Sequence, residues 1–108
     1  MDKLGRYTLL YDFYGELLTD KQRQIYEAVR FGDLSLSEAS ELFGVSRQGI
    51  HDMVRRTEEA LDEYEARLGL LEKFRGIRSL TERIRELCGT SEDLREIAAL
   101  CGQIDELL

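Results

Sequence analysis

The chain has 108 residues, 43% hydrophobic and 34% charged, with no proline and nine glycines. That balance suits one globular domain, or one domain with a helical appendage. The core is modest enough that self-association would help it. A formal net charge of −7 argues against a broadly basic nucleic-acid coat and leaves only a local patch to meet phosphate.

The first predicted element spans residues 6–18, RYTLLYDFYGELL, where Leu9, Leu10, Phe13, Tyr14 and Leu17 fall on one helical face. Its aromatics read as core packing with tyrosine hydroxyls reaching the surface. Thr19 and Gln22 form a capping box that starts a second helix, continued by Ile25, Tyr26 and Val29 and closed near Gly32. Ser35 and Glu38 form another box and open a short helix ended by Gly44. Ser46 then caps a long helix reaching about Phe74, with Ile50, Val54, Thr57, Leu61, Tyr64, Leu68 and Leu71 repeating four and three apart. Gly69 is its weak point, a place for the helix to bend or end. Residues 77–88 and 91–108 form a helical tail, with a break at Gly89 to Ser91, a cap at Thr90 to Asp93 and a weakness at Gly102. With Gly76 as the seam, residues 1–75 read as the main domain. Residues 76–108 read as a helical extension for oligomerisation.

The expected fold is all-α, built on a helix-turn-helix at residues 35–57 with a long recognition helix and a helical C-terminal tail. The expected arrangement is that of a winged helix without the wing. Two short helices that cross need a small residue at the contact, a turn residue tolerant of positive φ and an apolar lock on the second helix. Ser40, Gly44 and Ile50 fill those roles, with Ala39, Phe43, Val45 and Met53 around them.

Such a motif presents the first turns of its second helix to the major groove. Arg47, Gln48, His51 and Arg55 are the candidate base-reading side chains, since arginine pairs with guanine and glutamine with adenine. Arg56, Lys21 and Arg23 are the candidate phosphate contacts. Asp52 opposes DNA mildly, and Glu58, Glu59, Asp62, Glu63 and Glu65 form an acidic stretch that would repel phosphate and confine contact to the helix start.

Catalysis is not expected, because no nucleophile has a neighbouring base and no glycine-rich phosphate loop exists. Cys88 and Cys101 lack C-x-x-C spacing and the single histidine is His51, so neither a zinc site nor any cofactor is expected. Both cysteines fall at apolar helical positions and read as buried, reduced thiols. The N-terminal residues hold no apolar segment of signal-peptide length, and no run would span a membrane. The expected location is the cytoplasm, without membrane insertion.

LYDFYGELLTDKQRQIYE, followed by DLSLSEASELFGVSRQGIHDMVRRTEEALDEYEARLGL, resembles the YlxM family of small bacterial helix-turn-helix proteins from about Leu10 to Phe74. YDFY, LT-KQR and the VSRQ…D…RRTE run carry the likeness. The middle segment also resembles the DNA-binding region 4 of bacterial sigma factors. The resemblance implies an association with the signal recognition particle pathway, as a regulator of nucleic acid (DNA or the particle's RNA) or as a docking module on the particle's GTPase. The apolar stripe from Ile50 to Leu71 and the tail faces exceed what one short chain easily covers, so a homodimer is expected.

Overall fold

The computed structural model describes residues 2–90 and 94–107 and is helical almost throughout, with no strand among the described residues. It resolves into two compact units, the first ending at Leu68 and the second beginning at Gly69.

The first unit opens with α1 (Lys3–Tyr14), which begins earlier than the apolar pattern suggests because Asp2 caps it, its carboxylate accepting the Gly5 N–H at 2.7 Å. Its inward residues are Leu10 and Tyr14, both essentially buried, while Phe13 and Leu17 face out. Of the expected face, Leu10 and Tyr14 are thus the buried pair, and Phe13 and Leu17 fall outside it. A tight 3₁₀ turn (Gly15–Leu17) leads to Thr19, whose capping box with Gln22 is fully formed. α2 (Asp20–Tyr26) buries Ile25 and Tyr26, then widens into one π-helical turn (Glu27–Phe31).

The second capping box is also complete, the Ser35 hydroxyl accepting the Glu38 N–H at 3.0 Å, and α3 (Leu36–Phe43) follows. α4 (Arg47–Leu68) is the long element, and α1, α2 and α3 all pack on it. Ile50, Val54, Thr57 and Leu61 are buried, so the expected stripe is used within the unit as far as Leu61. Leu68 is half exposed. The helix stops there rather than at Phe74, because Gly69 takes φ 64°, a left-handed conformation that ends an α-helix at little cost only for glycine.

Polar bonds join the rest of α4 to α1 and α2. Glu58 accepts Tyr26 Oη at 2.9 Å and two nitrogens of Arg30 at 3.2 Å. Asp62 accepts Tyr7 at 2.6 Å and also pairs with Arg6, while Glu65 accepts Tyr14 at 2.7 Å. Three of the five carboxylates of the acidic stretch thus meet neighbouring helices. Burial first, then the neighbouring carboxylate, push the Tyr26 hydroxyl well above its ordinary pKa and Tyr7 up to about 12.

The second unit is a helical pair, α5 (Leu70–Thr90) against α6 (Leu94–Leu107). Ile77, Leu80, Ile84 and Leu87 are half-buried along α5, and Leu100 is buried on α6. Arg83 pairs with Glu96 at 2.9 Å. Gly76 lies inside α5, and Gly102 does not interrupt α6. α5 runs through Thr90, past the break expected at Gly89, and positions 91–93 of the cap read at 90–93 lie outside the described residues. Cys88 and Cys101 are exposed, not buried as their apolar surroundings suggested, because each sits beside its helix's inward stripe and not within it. None of the described helices is long and apolar enough to cross a membrane.

Candidate nucleic-acid interface

The turn between α3 and α4 is built as its residue types require. Gly44 stands at φ 67°, ψ 31°, and its N–H and that of Val45 both donate to the Ser40 carbonyl, at 3.0 and 3.3 Å. The fully buried small residue of α3 is Ala39, whereas Ser40 is only half-buried; Ile50 on α4 is completely buried. Ser46 caps α4, its hydroxyl accepting the Gly49 N–H at 3.0 Å.

Gly49 is a requirement that composition did not reveal. A Cβ there would stand 2.6 Å from Val45 Cγ1 and 3.1 Å from Ser46 Oγ, so the close fold of the turn over the first turn of α4 depends on its lacking a side chain.

With Ile50, Val54 and Leu61 facing in, the helical repeat turns Arg47, Gln48, His51 and Arg55 outward, and all four are exposed. Arg47, Gln48 and His51 line an open groove of about 810 Å³ together with Ser35, Leu36, Ser37 and Ser46. The groove therefore holds the beginnings of both helices of the motif. Ser35 and Ser46 each cap one N–H, while the first backbone N–H groups of α3 and α4 have no acceptor within their own helices. Both helix ends carry partial positive charge there.

Asp52 is less opposed to an anion than its charge alone implies. The Gln48 amide donates to it at 3.0 Å, and Arg55 and His51 lie 3.9 and 3.8 Å away. Arg55 also pairs with Glu59 at 2.9 Å. Gln48 and Arg55 must exchange these partners to engage a base, whereas Arg47 and Arg56 have no carboxylate partner among the described residues. Lys21 and Arg23 lie apart on α2, outside the groove's lining. Lys21 is exposed. Arg23 is engaged by the Tyr11 hydroxyl, which with Glu27 and Asp20 raises its pKa further.

A family model described as "Putative helix-turn-helix protein, YlxM / p13 like" matches residues 1–100. The chain belongs to this family. The UPF0122 protein of a Thermoanaerobacter species is 43% identical over 107 residues, covering 93% of this chain and 92% of that protein. UPF0122 protein YlxM of Bacillus subtilis is 37% identical over 107 residues, covering 99% and 97%. UPF0122 protein TTE1463 of Caldanaerobacter subterraneus is 51% identical over 79 residues, covering 73% and 68%. Similarity to full-length relatives thus extends past the turn and into the second unit.

Within this helix-turn-helix family member, sequence reasoning found the outward arginines and missed the serines beside them. Ser35 and Ser46 were legible as caps, but nothing in their spacing shows that both caps open onto one groove. Two serine-capped helix starts separated by a glycine turn are the signal that could have disclosed it.

Proposed function

We propose that the chain is a regulatory nucleic-acid-binding protein that acts by contact and not by catalysis. The carrying observation is the shared groove, where two serine-capped helix starts meet Arg47, Gln48 and His51. Backbone N–H groups at helix starts suit phosphate oxygens. In this reading the first turns of α4 enter the major groove, with Arg47, Gln48, His51 and Arg55 toward base edges. Arg56 contacts phosphate beside them, and Lys21 and Arg23 reach phosphate from α2. The inward bonds of Glu58, Asp62 and Glu65 support it by engaging three of the five carboxylates of the repulsive stretch.

The test is duplex DNA and structured RNA titrated over a salt series. Affinity should fall steeply with salt; Arg56→Gln with Lys21→Gln should flatten the slope by about 1.8 on duplex DNA, and Arg47→Gln with Arg55→Gln should weaken binding and relax sequence preference. Undetectable binding at low salt, or affinity unchanged by replacing Arg47 and Arg55, overturns the reading.

The physiological target is proposed to be DNA or signal recognition particle RNA, the second drawn from the family resemblance. The net charge of −7 favours a second reading, docking on a basic protein surface such as the particle's GTPase. Retention of the full chain by the purified GTPase with RNA absent would support it. Failure with and without RNA removes it. A cytoplasmic location and a homodimer formed through residues 76–108 complete the proposal. Leu94, three-quarters exposed on α6, supports the dimer. Sedimentation as a monomer at high protein concentration would refute it.

A further inference from the structure

Asp52 places a carboxylate among the side chains of α4 that would meet a base, and its charge alone sets it against nucleic acid. Its surroundings give it another use. Gln48, Asp52, Arg55 and Glu59 follow one another at steps of four, three and four residues, so they form one stripe along the helix. Gln48, Arg55 and Glu59 are exposed, and Asp52 is half-buried. The contacts of Asp52 gather at one oxygen. Oδ1 accepts the Gln48 amide at 3.0 Å and lies 3.8 Å from His51 Nδ1 and 3.9 Å from Arg55 Nη2. No hydrogen bond among the described residues reaches Oδ2. Asp52 therefore holds three nitrogen groups at one oxygen and keeps the other as an acceptor.

We propose that Asp52 is a base-reading residue that selects cytosine, its carboxylate accepting the exocyclic N4 amino group in the major groove. An ionised carboxylate only accepts hydrogen bonds, so it meets the amino group of cytosine or adenine and opposes the carbonyl oxygens of guanine and thymine. Adenine sets the acceptor N7 beside its amino group, whereas cytosine sets a C–H there, and this difference favours cytosine. When Gln48 and Arg55 turn to bases, Asp52 loses its internal partners. A cytosine amino group then replaces them, while a thymine carbonyl leaves the carboxylate facing a second acceptor. Asp52 thus lowers affinity for most sequences and raises discrimination among them. The inference rests on the duplex reading above and deepens it, because Arg47 and Arg55 attract and Asp52 rejects.

The test is selection of bound duplexes from a pool of randomised sequence by the full chain, followed by fluorescence anisotropy on single sites, with the parent and with Asp52→Asn. The parent should enrich cytosine at one position and bind at least about fivefold more weakly when thymine replaces it. Asparagine both donates and accepts, so Asp52→Asn should bind the two sites about equally and the thymine site more tightly than the parent does. Glu63→Gln removes an equal charge farther along α4, where Glu63 pairs with Arg67 at 3.0 Å, and should leave the cytosine preference as in the parent. Duplex binding by the parent without that preference, or a preference that Asp52→Asn retains, overturns the inference and leaves the duplex reading standing. Equal tightening of Asp52→Asn on every sequence overturns it too, since charge alone would then account for Asp52. No duplex bound by the parent at low salt removes the duplex reading and this inference with it.

Discussion

Replacing Glu58 with alanine tests whether α4 is fixed by its buried polar bonds as well as by its apolar stripe. Glu58 is 8% exposed and accepts three hydrogen bonds, from Tyr26 and twice from Arg30. Tyr26 is 1% exposed, so its hydroxyl would lose its acceptor in a place water does not easily reach. Such an orphaned donor costs ~1–3 kcal/mol. The Arg30 side chain is 38% exposed and can turn to solvent, so its share is that of a surface pair, ~0–1 kcal/mol. The expected loss is roughly 2–3 kcal/mol, a fall in Tm of roughly 10–20 °C for a domain this size. Glu58→Gln keeps an acceptor for Tyr26 and should lose less than half as much. Urea unfolding followed by far-UV circular dichroism measures both, and a double-mutant cycle with Tyr26→Phe should return a coupling of about 1 kcal/mol. An alanine variant within about 0.5 kcal/mol of the parent would refute the reasoning, as would strict additivity with Tyr26→Phe.

Gly49→Ala should destabilise by ~1–3 kcal/mol, against the usual gain of alanine in a helix, because its Cβ would press on Val45 at 2.6 Å and β-branched valine has little freedom to move. Val45→Ala in the same chain should recover most of that loss in thermal unfolding, and no recovery would count against the contact. Stability should fall in alkali. The folded pKa values of Tyr7 (about 12) and Tyr26 exceed the unfolded value, so their contribution is complete below about pH 10 and is lost as pH rises toward 12 and beyond. Urea midpoints that stay level through that window, or tyrosine absorbance titrating wholly at the ordinary pKa, would contradict this. Cys88 and Cys101 should both react with a thiol reagent in the native state, without denaturant; protection of either would oppose its exposed position.

Much of the local structure was legible. The capping boxes at Thr19 and Ser35 are chemical statements about the next three residues, and both form as their side chains dictate. Gly44 was legible for the same reason, since a turn with positive φ selects the residue that lacks a Cβ. The outward direction of Arg47, Gln48, His51 and Arg55 follows from Ile50 and Val54 facing in, a matter of helical repeat alone. The end of α4 was less legible, because Phe74 continues the apolar stripe across Gly69 and only the backbone conformation at Gly69 decides where the helix stops.

The sequence by itself determined the helices, their caps and which side of the motif carries arginine, because those depend on neighbours within a turn or two. Tertiary structure alone decided what the acidic run of α4 does. Glu58, Asp62 and Glu65 meet tyrosines at Tyr26, Tyr7 and Tyr14, far away along the chain, while Glu59 and Glu63 pair with Arg55 and Arg67 on the outside. Identical carboxylates differ here only by the partner that folding brings to them, and no local pattern encodes a partner from another helix.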